Sequence, residues 1–281
     1  MGRVITRYGQ RQLVESIDKK LYQCTGRRNI GLSVAGDEVL FQKTDDNEGV
    51  VTAIQPRINE LKRQNKLIAA NIDQLWLVVA LEPHYEFELI DRYLIMAENV
   101  NLPINIIINK IELAKNLEQV SRDFSIYKNI DYQVHFLSVK QENNLDSLKS
   151  CLRDKTHIFL GQSGVGKSSL INTLIPDLDL RVDEISTKTK LGRHTTTNTT
   201  IYHIPSGGDL IDSPGIREFQ INEFSSKQIL NGYREFKSYL GKCRFRNCQH
   251  VNEPDCAIRG ALDSEVIHPA RYQSYINLIS E

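Results

Sequence analysis

The chain has 281 residues, of which 40% are hydrophobic and 25% are charged, and its 35 Lys and Arg balance its 35 Asp and Glu. This is the composition of a globular protein with about two domains and a real core, and the zero net charge excludes a polyelectrolyte. The longest apolar runs fall far short of the roughly 20 residues that cross a bilayer, and the N-terminus lacks a signal-peptide pattern, so we expect a soluble cytoplasmic protein without a membrane partner.

Residues 1–55 contain short β-rich runs separated by turn signals, which is the spacing of a small β-barrel. Residues 1–70 hold twelve Lys and Arg against eight Asp and Glu, a weak indication of an anionic partner. Five arginines are interleaved with Tyr8 and Tyr22, as in a groove that follows a nucleic-acid backbone. They are Arg3, Arg7, Arg11, Arg27 and Arg28. A barrel without a ligand explains the same residues, so nucleic-acid binding stays open at this point.

From residue 71 onward, predicted strands alternate with predicted helices. The apolar runs 75–81 and 104–108 are typical of strands buried on both faces, and Phe87 to Asn99 has helical spacing. This alternation predicts a doubly wound, mainly parallel sheet that binds ligands at the carboxyl ends of its strands. The polar stretch 57–66 that precedes it is expected to be a linker or a short surface helix.

Two short loops that follow predicted strands look like guanine-binding loops. The first looks like the NKxD loop of GTPases, whose carboxylate pairs with the guanine N1 and N2 hydrogens, and it consists of Asn109, Lys110, Ile111 and Glu112. The second resembles the SAK loop, which meets the guanine O6 through backbone N–H, and it consists of Ser138, Val139 and Lys140. Each could be a chance loop on its own.

A glycine-rich loop of the form GxxxxGK[ST] comes next, between an apolar strand and a helical stretch. Its residues are Gly161, Gln162, Ser163, Gly164, Val165, Gly166, Lys167, Ser168 and Ser169. Glycines remove the Cβ atoms that would keep backbone N–H groups from a phosphate, and the following helix adds the positive end of its dipole. Lys167 is expected to reach the β- and γ-phosphates, and the Ser168 hydroxyl to bind Mg²⁺. The alternative is a glycine-rich turn with a chance lysine, but the flanking strand and helix favour a P-loop.

Residues 179–198 are polar and rich in Thr and Lys, so we expect them to be mobile. Within them lies the motif Gly192–Thr197. Two short strands are predicted next, and the second ends at Asp212, the first residue of a DxxG motif that closes at Gly215. In such a motif the aspartate holds Mg²⁺ through water, and the glycine N–H meets the γ-phosphate.

Four soft ligands lie within fourteen positions near the C-terminus: Cys243, Cys248, His250 and Cys256. A Cys₃His set is a closed tetrahedral zinc site, so we predict one structural zinc that contributes on the order of 10 kcal/mol of folding energy. The alternative is three unrelated cysteines. The odd total of five cysteines argues against a disulfide framework. We expect this C-terminal domain to bury a core separate from that of the sheet.

The order of the nucleotide loops is circularly permuted. A Ras-like GTPase has the order P-loop, switch I, DxxG, NKxD and SAK, whereas here the NKxE and SVK loops precede the P-loop. Permutation is physically allowed because the termini of a domain often lie close together at its surface. An ATP-using RNA remodelling protein is disfavoured by the same NKxE and SVK loops.

On these motifs and the terminal Cys/His cluster, the whole chain resembles the RsgA (YjeQ/YloQ) family of circularly permuted GTPases. The resemblance implies an α/β fold: an N-terminal OB-fold β-barrel that binds RNA (1–66), a circularly permuted P-loop GTPase domain with a doubly wound, mainly parallel sheet (67–222), and a C-terminal helical zinc-binding domain (223–281). It implies a role in late maturation of the small ribosomal subunit, with ribosomal RNA and that subunit as partners, GTP with Mg²⁺, and a monomer. The chain departs from the family at Glu112, where the family has aspartate.

The residue after Gly215 is Ile216, where Ras-like GTPases have the glutamine that orients the attacking water. We therefore expect slow hydrolysis that the target accelerates. His194 is the candidate that positions the water, and Lys167 is the other expected catalytic residue. Thr196 is expected to be a second Mg²⁺ ligand. Alternatively, His194 only contacts RNA or solvent. A nucleotide-sensing RNA-binding module without significant turnover is the alternative function.

Overall fold

A computed structural model describes residues 1–63, 66–176, 178, 199–212 and 224–281. The predicted Gly192–Thr197 loop, with His194 and Thr196, lies outside the described residues. So do Gly215 and Ile216, which follow the described strand that ends at Asp212.

The N-terminal segment forms a closed five-stranded barrel, as predicted. Its strands are β1 (Gly2–Tyr8), β2 (Arg11–Ser16), β3 (Leu21–Gly26), β4 (Glu38–Asp45) and β5 (Glu48–Ile54). Strands β1, β2 and β3 form an antiparallel meander, β3 runs parallel to β5, and β4 pairs with both β5 and β1. Apolar side chains that alternate along these strands, such as Val4, Val14 and Val51, fill the interior. This closed order is that of an OB-like barrel.

The prediction of a linker or a short surface helix at 57–66 is wrong for the described residues of this stretch. The stretch contributes to a hairpin of β6 (Glu60–Arg63) and β7 (Lys66–Ala70). The reason is that Leu61 faces Ala69 across the hairpin and both side chains are fully buried, so two apolar positions suffice to hold an otherwise polar strand.

The six strands that follow β7 build the predicted doubly wound sheet. They are β8 (Gln74–Ala80), β9 (Ile104–Asn109), β10 (Val134–Phe136), β11 (Thr156–Leu160), β12 (Thr200–His203) and β13 (Asp209–Asp212). Their order is β10, β9, β8, β11, β13, β12, and every neighbouring pair is parallel except β12 with β13. The carboxyl ends of the parallel strands therefore meet at one edge, where the predicted nucleotide loops begin.

Helices cover both faces of this sheet: α1 (Phe87–Asn99), α2 (Leu117–Asp123), α3 (Ser125–Lys128), α4 (Leu145–Leu152) and α5 (Lys167–Leu174). Strand β8 shows the alternation, because Leu75 and Leu77 belong to the core under α1, whereas Trp76 and Val78 belong to the core under α4 and α5. Of the described helices, none combines the length and the apolar composition that crossing a membrane requires.

The C-terminal region contains α6 (Ser226–Gly232), a 3₁₀ turn (Arg234–Phe236), α7 (Ala257–Asp263) and α8 (Pro269–Ser280). Its core is not separate from the sheet domain, contrary to the sequence-based expectation. Ile95 of α1 is part of the C-terminal core, and a Cβ on Gly232 would lie 2.7 Å from the Ile95 Cα. Helix α6 thus approaches α1 so closely that only glycine fits at position 232.

Candidate nucleotide site and metal centre

The glycine-rich loop connects β11 to α5, as a P-loop does. Gly161 has φ +136°, and a Cβ there would lie 2.1 Å from the Val78 carbonyl oxygen. Gly166 has φ +96°, and a Cβ there would lie 2.3 Å from the Asn109 side-chain nitrogen. Both positions require glycine, because a larger residue would collide with β8 or with Asn109 and would be strained in the left-handed region.

Lys167 lies inside the loop that it closes. Its side chain is buried, and its ammonium group donates to the carbonyl oxygens of Gly161, at 2.6 Å, and Gln162. The neighbouring Ser168 is exposed at the first turn of α5. The cation therefore lies where phosphate oxygens enter a P-loop, and a serine hydroxyl lies next to it in sequence.

Asn109 links the P-loop to the second predicted guanine-binding loop, which consists of Ser138, Val139 and Lys140. Its amide nitrogen donates to the Val165 carbonyl oxygen at 2.9 Å, and its amide oxygen accepts from the Val139 backbone N–H at 3.3 Å. The side chain is almost fully buried. One asparagine thereby brings together three loops that lie far apart in the sequence.

Lys110 adds a second link between these loops. Its backbone is left-handed, with φ 61°, and its ammonium group donates to the carbonyl oxygens of Gly164 at 2.8 Å and Glu82 at 2.6 Å. Glu82, which follows β8, was not among the predicted site residues. Its contribution is a backbone carbonyl, which no sequence motif reveals before the strand order is known.

Glu112 lies in the 3₁₀ turn Ile111–Leu113 that follows Lys110. Its Oε2 atom is buried and has no hydrogen-bond partner in the described part of the chain. An unpartnered buried carboxylate oxygen costs about 1–3 kcal/mol or more. The two N–H groups on the Watson–Crick edge of a guanine would satisfy it, so the residues present fit a guanine base.

The loop of Ser138, Val139 and Lys140 lies beside Asn109. Ser138 is fully buried, and its hydroxyl accepts from the Gln141 backbone N–H at 3.1 Å. The backbone N–H of Ser138 donates to the Asn143 carbonyl and that of Val139 to Asn109. With those two N–H groups engaged, the backbone of Lys140 is the remaining candidate for a base oxygen.

Asp212 is the last residue of β13, and this strand is parallel to β11, which leads into the P-loop. The two strands are neighbours, so Asp212 ends at the same sheet edge as Gly161. Four of the predicted loops thus begin at one edge of one sheet, in the described residues.

The Cys/His cluster is assembled as the spacing predicted. One ligand atom from each of Cys243, Cys248, His250 and Cys256 lies within 4.8 Å of the other three. The His250 Nδ1 atom is 3.4 Å from the Cys243 sulfur and 3.3 Å from the Cys256 sulfur. A tetrahedral zinc with Zn–S bonds of about 2.3 Å holds its ligand atoms roughly 3.5–3.8 Å apart, so this cluster can hold a metal such as zinc.

Side chains outside the predicted ligand set hold the His250 loop in place. The Glu253 carboxylate accepts from the backbone N–H groups of Gln249, at 2.7 Å, and Val251, at 2.9 Å, and these hydrogen bonds lower the pKa of Glu253 to about 2. Tyr272 of α8 donates to the His250 carbonyl at 2.6 Å. The ligand loop is therefore braced from both sides before any metal binds.

Two of the five arginines that are candidates for a nucleic-acid groove are partly buried and hydrogen-bonded within the protein. Arg3 donates to Asp209 and Thr156, and Arg7 donates to the backbone of Gly9 and to Ser33. The other three, Arg11, Arg27 and Arg28, are exposed on the barrel. The basic surface of the barrel is thus smaller than the sequence suggested.

Comparison with known proteins agrees with this geometry. A sequence model of the RsgA GTPase family matches residues 54–222. The small ribosomal subunit biogenesis GTPase RsgA of Actinobacillus succinogenes is 42% identical over 290 residues, which cover 99% of this chain and 83% of that protein. The protein of the same name from Haemophilus influenzae is 42% identical over 289 residues, covering 99% of this chain and 84% of that protein.

Two solved structures have the same fold over nearly the whole chain. The crystal structure of YloQ, a circularly permuted GTPase, superposes with a TM-score of 0.80 at 29% identity and covers 99% of this chain and 93% of that one. The crystal structure of YjeQ from Thermotoga maritima superposes with a TM-score of 0.83 at 27% identity and covers 99% of this chain and 96% of that one. The loops at one sheet edge, their permuted order and these full-length matches show that the chain is a circularly permuted GTPase of the RsgA family.

Proposed function

We propose that this GTPase binds the small ribosomal subunit through its ribosomal RNA and couples GTP hydrolysis to late maturation of that subunit and to its own release. The support is the buried Oε2 atom of Glu112, which has no hydrogen-bond partner in the described residues and lies among three interlinked nucleotide loops, together with full-length relatives whose names describe small subunit biogenesis. We also propose that the protein acts in the cytoplasm as a monomer.

In the proposed site, Glu112 pairs with the guanine N1 and N2 hydrogens, while Asn109, Lys110 and Ile111 hold it in position. In the loop Ser138–Lys140, the backbone N–H of Lys140 meets the guanine O6. The P-loop, from Gly161 to Ser169, wraps the phosphates, and Lys167 neutralises their charge. Ser168, Thr196 and, through water, Asp212 hold Mg²⁺, and the Gly215 N–H meets the γ-phosphate.

We propose that His194 positions the attacking water when the small subunit is bound. The motivation is the sequence, because an isoleucine at position 216 cannot hydrogen-bond water as glutamine does. In His194→Ala, nucleotide binding should persist, and subunit-stimulated hydrolysis should fall by roughly a hundredfold. Unchanged stimulation would remove His194 from the reaction.

The proposed roles of the flanking regions follow the division at residues 66 and 222. The barrel, with exposed Arg11, Arg27 and Arg28, would contact RNA. The C-terminal region would hold one structural zinc through Cys243, Cys248, His250 and Cys256, which supplies folding energy and leaves no coordination position for a catalytic water.

Hydrolysis measured with and without purified small subunits tests this proposal. We expect slow turnover of the isolated protein and at least tenfold faster turnover with small subunits, with no such effect of large subunits. Strong subunit binding with no turnover under either condition would instead support a nucleotide-sensing RNA-binding module. GTP and ATP of equal affinity would contradict the role assigned to Glu112.

A further inference from the structure

The N-terminal barrel is joined directly to the sheet of the GTPase domain. Strand β1 pairs with β12, the antiparallel edge strand, through the register pair Thr6 and Thr200. The Thr200 hydroxyl donates to the Thr6 hydroxyl at 3.0 Å, and the Thr6 hydroxyl donates to the Thr199 carbonyl oxygen at 3.0 Å. The barrel therefore continues the sheet instead of being tethered to it by a linker.

A second contact is a half-buried group of charges, which we call the barrel clamp: Arg3 and Glu15 of the barrel, with His203 and Asp209 of β12 and β13. Arg3 donates to Asp209 at 2.5 Å and to Thr156 at 2.7 Å. His203 lies between the two carboxylates, with Nδ1 2.5 Å from Asp209 and Nε2 2.8 Å from Glu15. Each barrel residue of the clamp thus holds a residue of the β12–β13 hairpin.

The same β12–β13 hairpin also carries Asp212, a residue of the proposed nucleotide site. In its register His203 pairs with Asp209 at one end, and Thr200 pairs with Asp212 at the other. At about 3.3 Å per residue, the clamp and Asp212 are roughly 10 Å apart along β13. The pairing of β12 with β13 is uninterrupted between these two ends, so the clamp and Asp212 are joined by one continuous segment of paired backbone.

We propose that Arg3, Glu15 and His203 are positioning residues that couple the barrel to the nucleotide site through this hairpin. The proposal rests on the function proposed above, in which the barrel contacts RNA and the site hydrolyses GTP. Coupling of this kind is reciprocal, so the bound nucleotide must change the affinity for the small subunit by the same factor that the subunit changes the affinity for the nucleotide. A purely structural contact would change stability but not this factor.

The first experiment measures the affinity of the full-length protein for purified small subunits with a non-hydrolysable GTP analogue and with GDP. We expect the two affinities to differ at least tenfold in the wild type and by no more than twofold in the double variant Arg3→Gln/His203→Gln. Intrinsic hydrolysis and GDP affinity of that variant should stay within twofold of the wild type. The matched control is Lys149→Gln, which breaks an ion pair with Asp146 on α4 and should keep the wild-type ratio.

The second experiment does not need the subunit, so it separates a failure of the clamp from a failure of the proposed function. Hydrogen exchange in residues 2–16, which form β1 and β2, should differ between GDP and the GTP analogue, and the difference should vanish in the double variant. Glu15→Gln keeps the side-chain shape and should show an intermediate difference if the double variant does not fold. Identical exchange in the two nucleotide states of the wild type, or an undiminished difference in the folded variants, would overturn the proposal.

Discussion

Arg271, near the start of the last helix, donates to Asp91 of α1, and the two side chains are only 2% and 1% exposed. Arg271 also donates to Glu235 at 2.7 Å, and Tyr127 donates to Asp91 at 2.9 Å. A buried cation thus joins the C-terminal region to the GTPase sheet domain, together with the shared core around Ile95.

Removal of Arg271 should be strongly destabilising. Arg271→Leu leaves the carboxylates of Asp91 and Glu235 buried without their cation, and breaking such a pair costs about 3–5 kcal/mol. Urea unfolding should show this loss, whereas the exposed pair Arg244 and Asp255, tested by Arg244→Leu, should contribute less than about 1 kcal/mol. Equal small effects of the two substitutions would contradict the proposed importance of the buried pair.

Shortening Glu112 should tighten guanine nucleotide binding. An aspartate reaches the base with one fewer rotatable bond, so Glu112→Asp saves about 1 kcal/mol of side-chain ordering and should lower the Kd for GDP about fivefold by calorimetry. Glu118→Asp, the same change at an exposed position on α2, should leave the Kd unchanged. Weaker GDP binding by Glu112→Asp would show that the longer side chain is the better fit.

Metal analysis of protein purified without chelator should find one zinc per chain. Chelation, or Cys256→Ser, should speed hydrogen exchange in the C-terminal region, and, because Ile95 belongs to the same core, also in α1. Nucleotide binding should persist, since the P-loop residue Val165 and helix α5 belong to the core on the other face of the sheet. Absence of zinc, or unchanged exchange in α1, would contradict this account.

The barrel clamp should make stability depend on pH above neutrality. Hydrogen bonds to Asp209 and then to Glu15 raise the pKa of His203 to about 9, above the ordinary value of about 6.5. His203 therefore binds its proton more tightly in the folded state than in the unfolded state. The stabilisation from this proton is complete below pH 6.5 and is lost as the pH rises through 9. Because the His203 side chain is 43% exposed, solvent screening reduces this contribution to about 1 kcal/mol.

Urea unfolding of the wild type and of His203→Gln at pH 6 and pH 9.5 measures this contribution. The stability difference between the two proteins should shrink by about 1 kcal/mol from the lower to the higher pH. A difference that is constant across this range would show that His203 is not charged in the folded state.

Local patterns sufficed to predict much of the fold and the site. The helix Phe87–Asn99 follows from its spacing, and the P-loop from its glycines, because both depend on neighbours in the chain. The pairing of β6 with β7 was missed because β6 is polar except at Leu61, whose partner Ala69 lies on the other strand.

Individual ion pairs between distant parts of the chain could not be predicted. Asp91 and Arg271 are 180 positions apart. Arg3 was a candidate for a nucleic-acid groove, whereas it donates to Asp209, 206 positions away. A charged side chain has the same sequence signature whether it faces solvent, a nucleic acid or a buried counter-ion. Its environment follows only from the tertiary fold.

The most direct test follows the protein on the small subunit during one round of hydrolysis. Complexes of full-length protein, small subunits and GTP are formed, and bound protein and released phosphate are measured over time, with a non-hydrolysable GTP analogue as the control. We expect the protein to leave the subunit in step with phosphate release and to stay bound with the analogue. Protein that remains bound after its GTP is spent, or that leaves equally fast with the analogue, would contradict the coupling of hydrolysis to release.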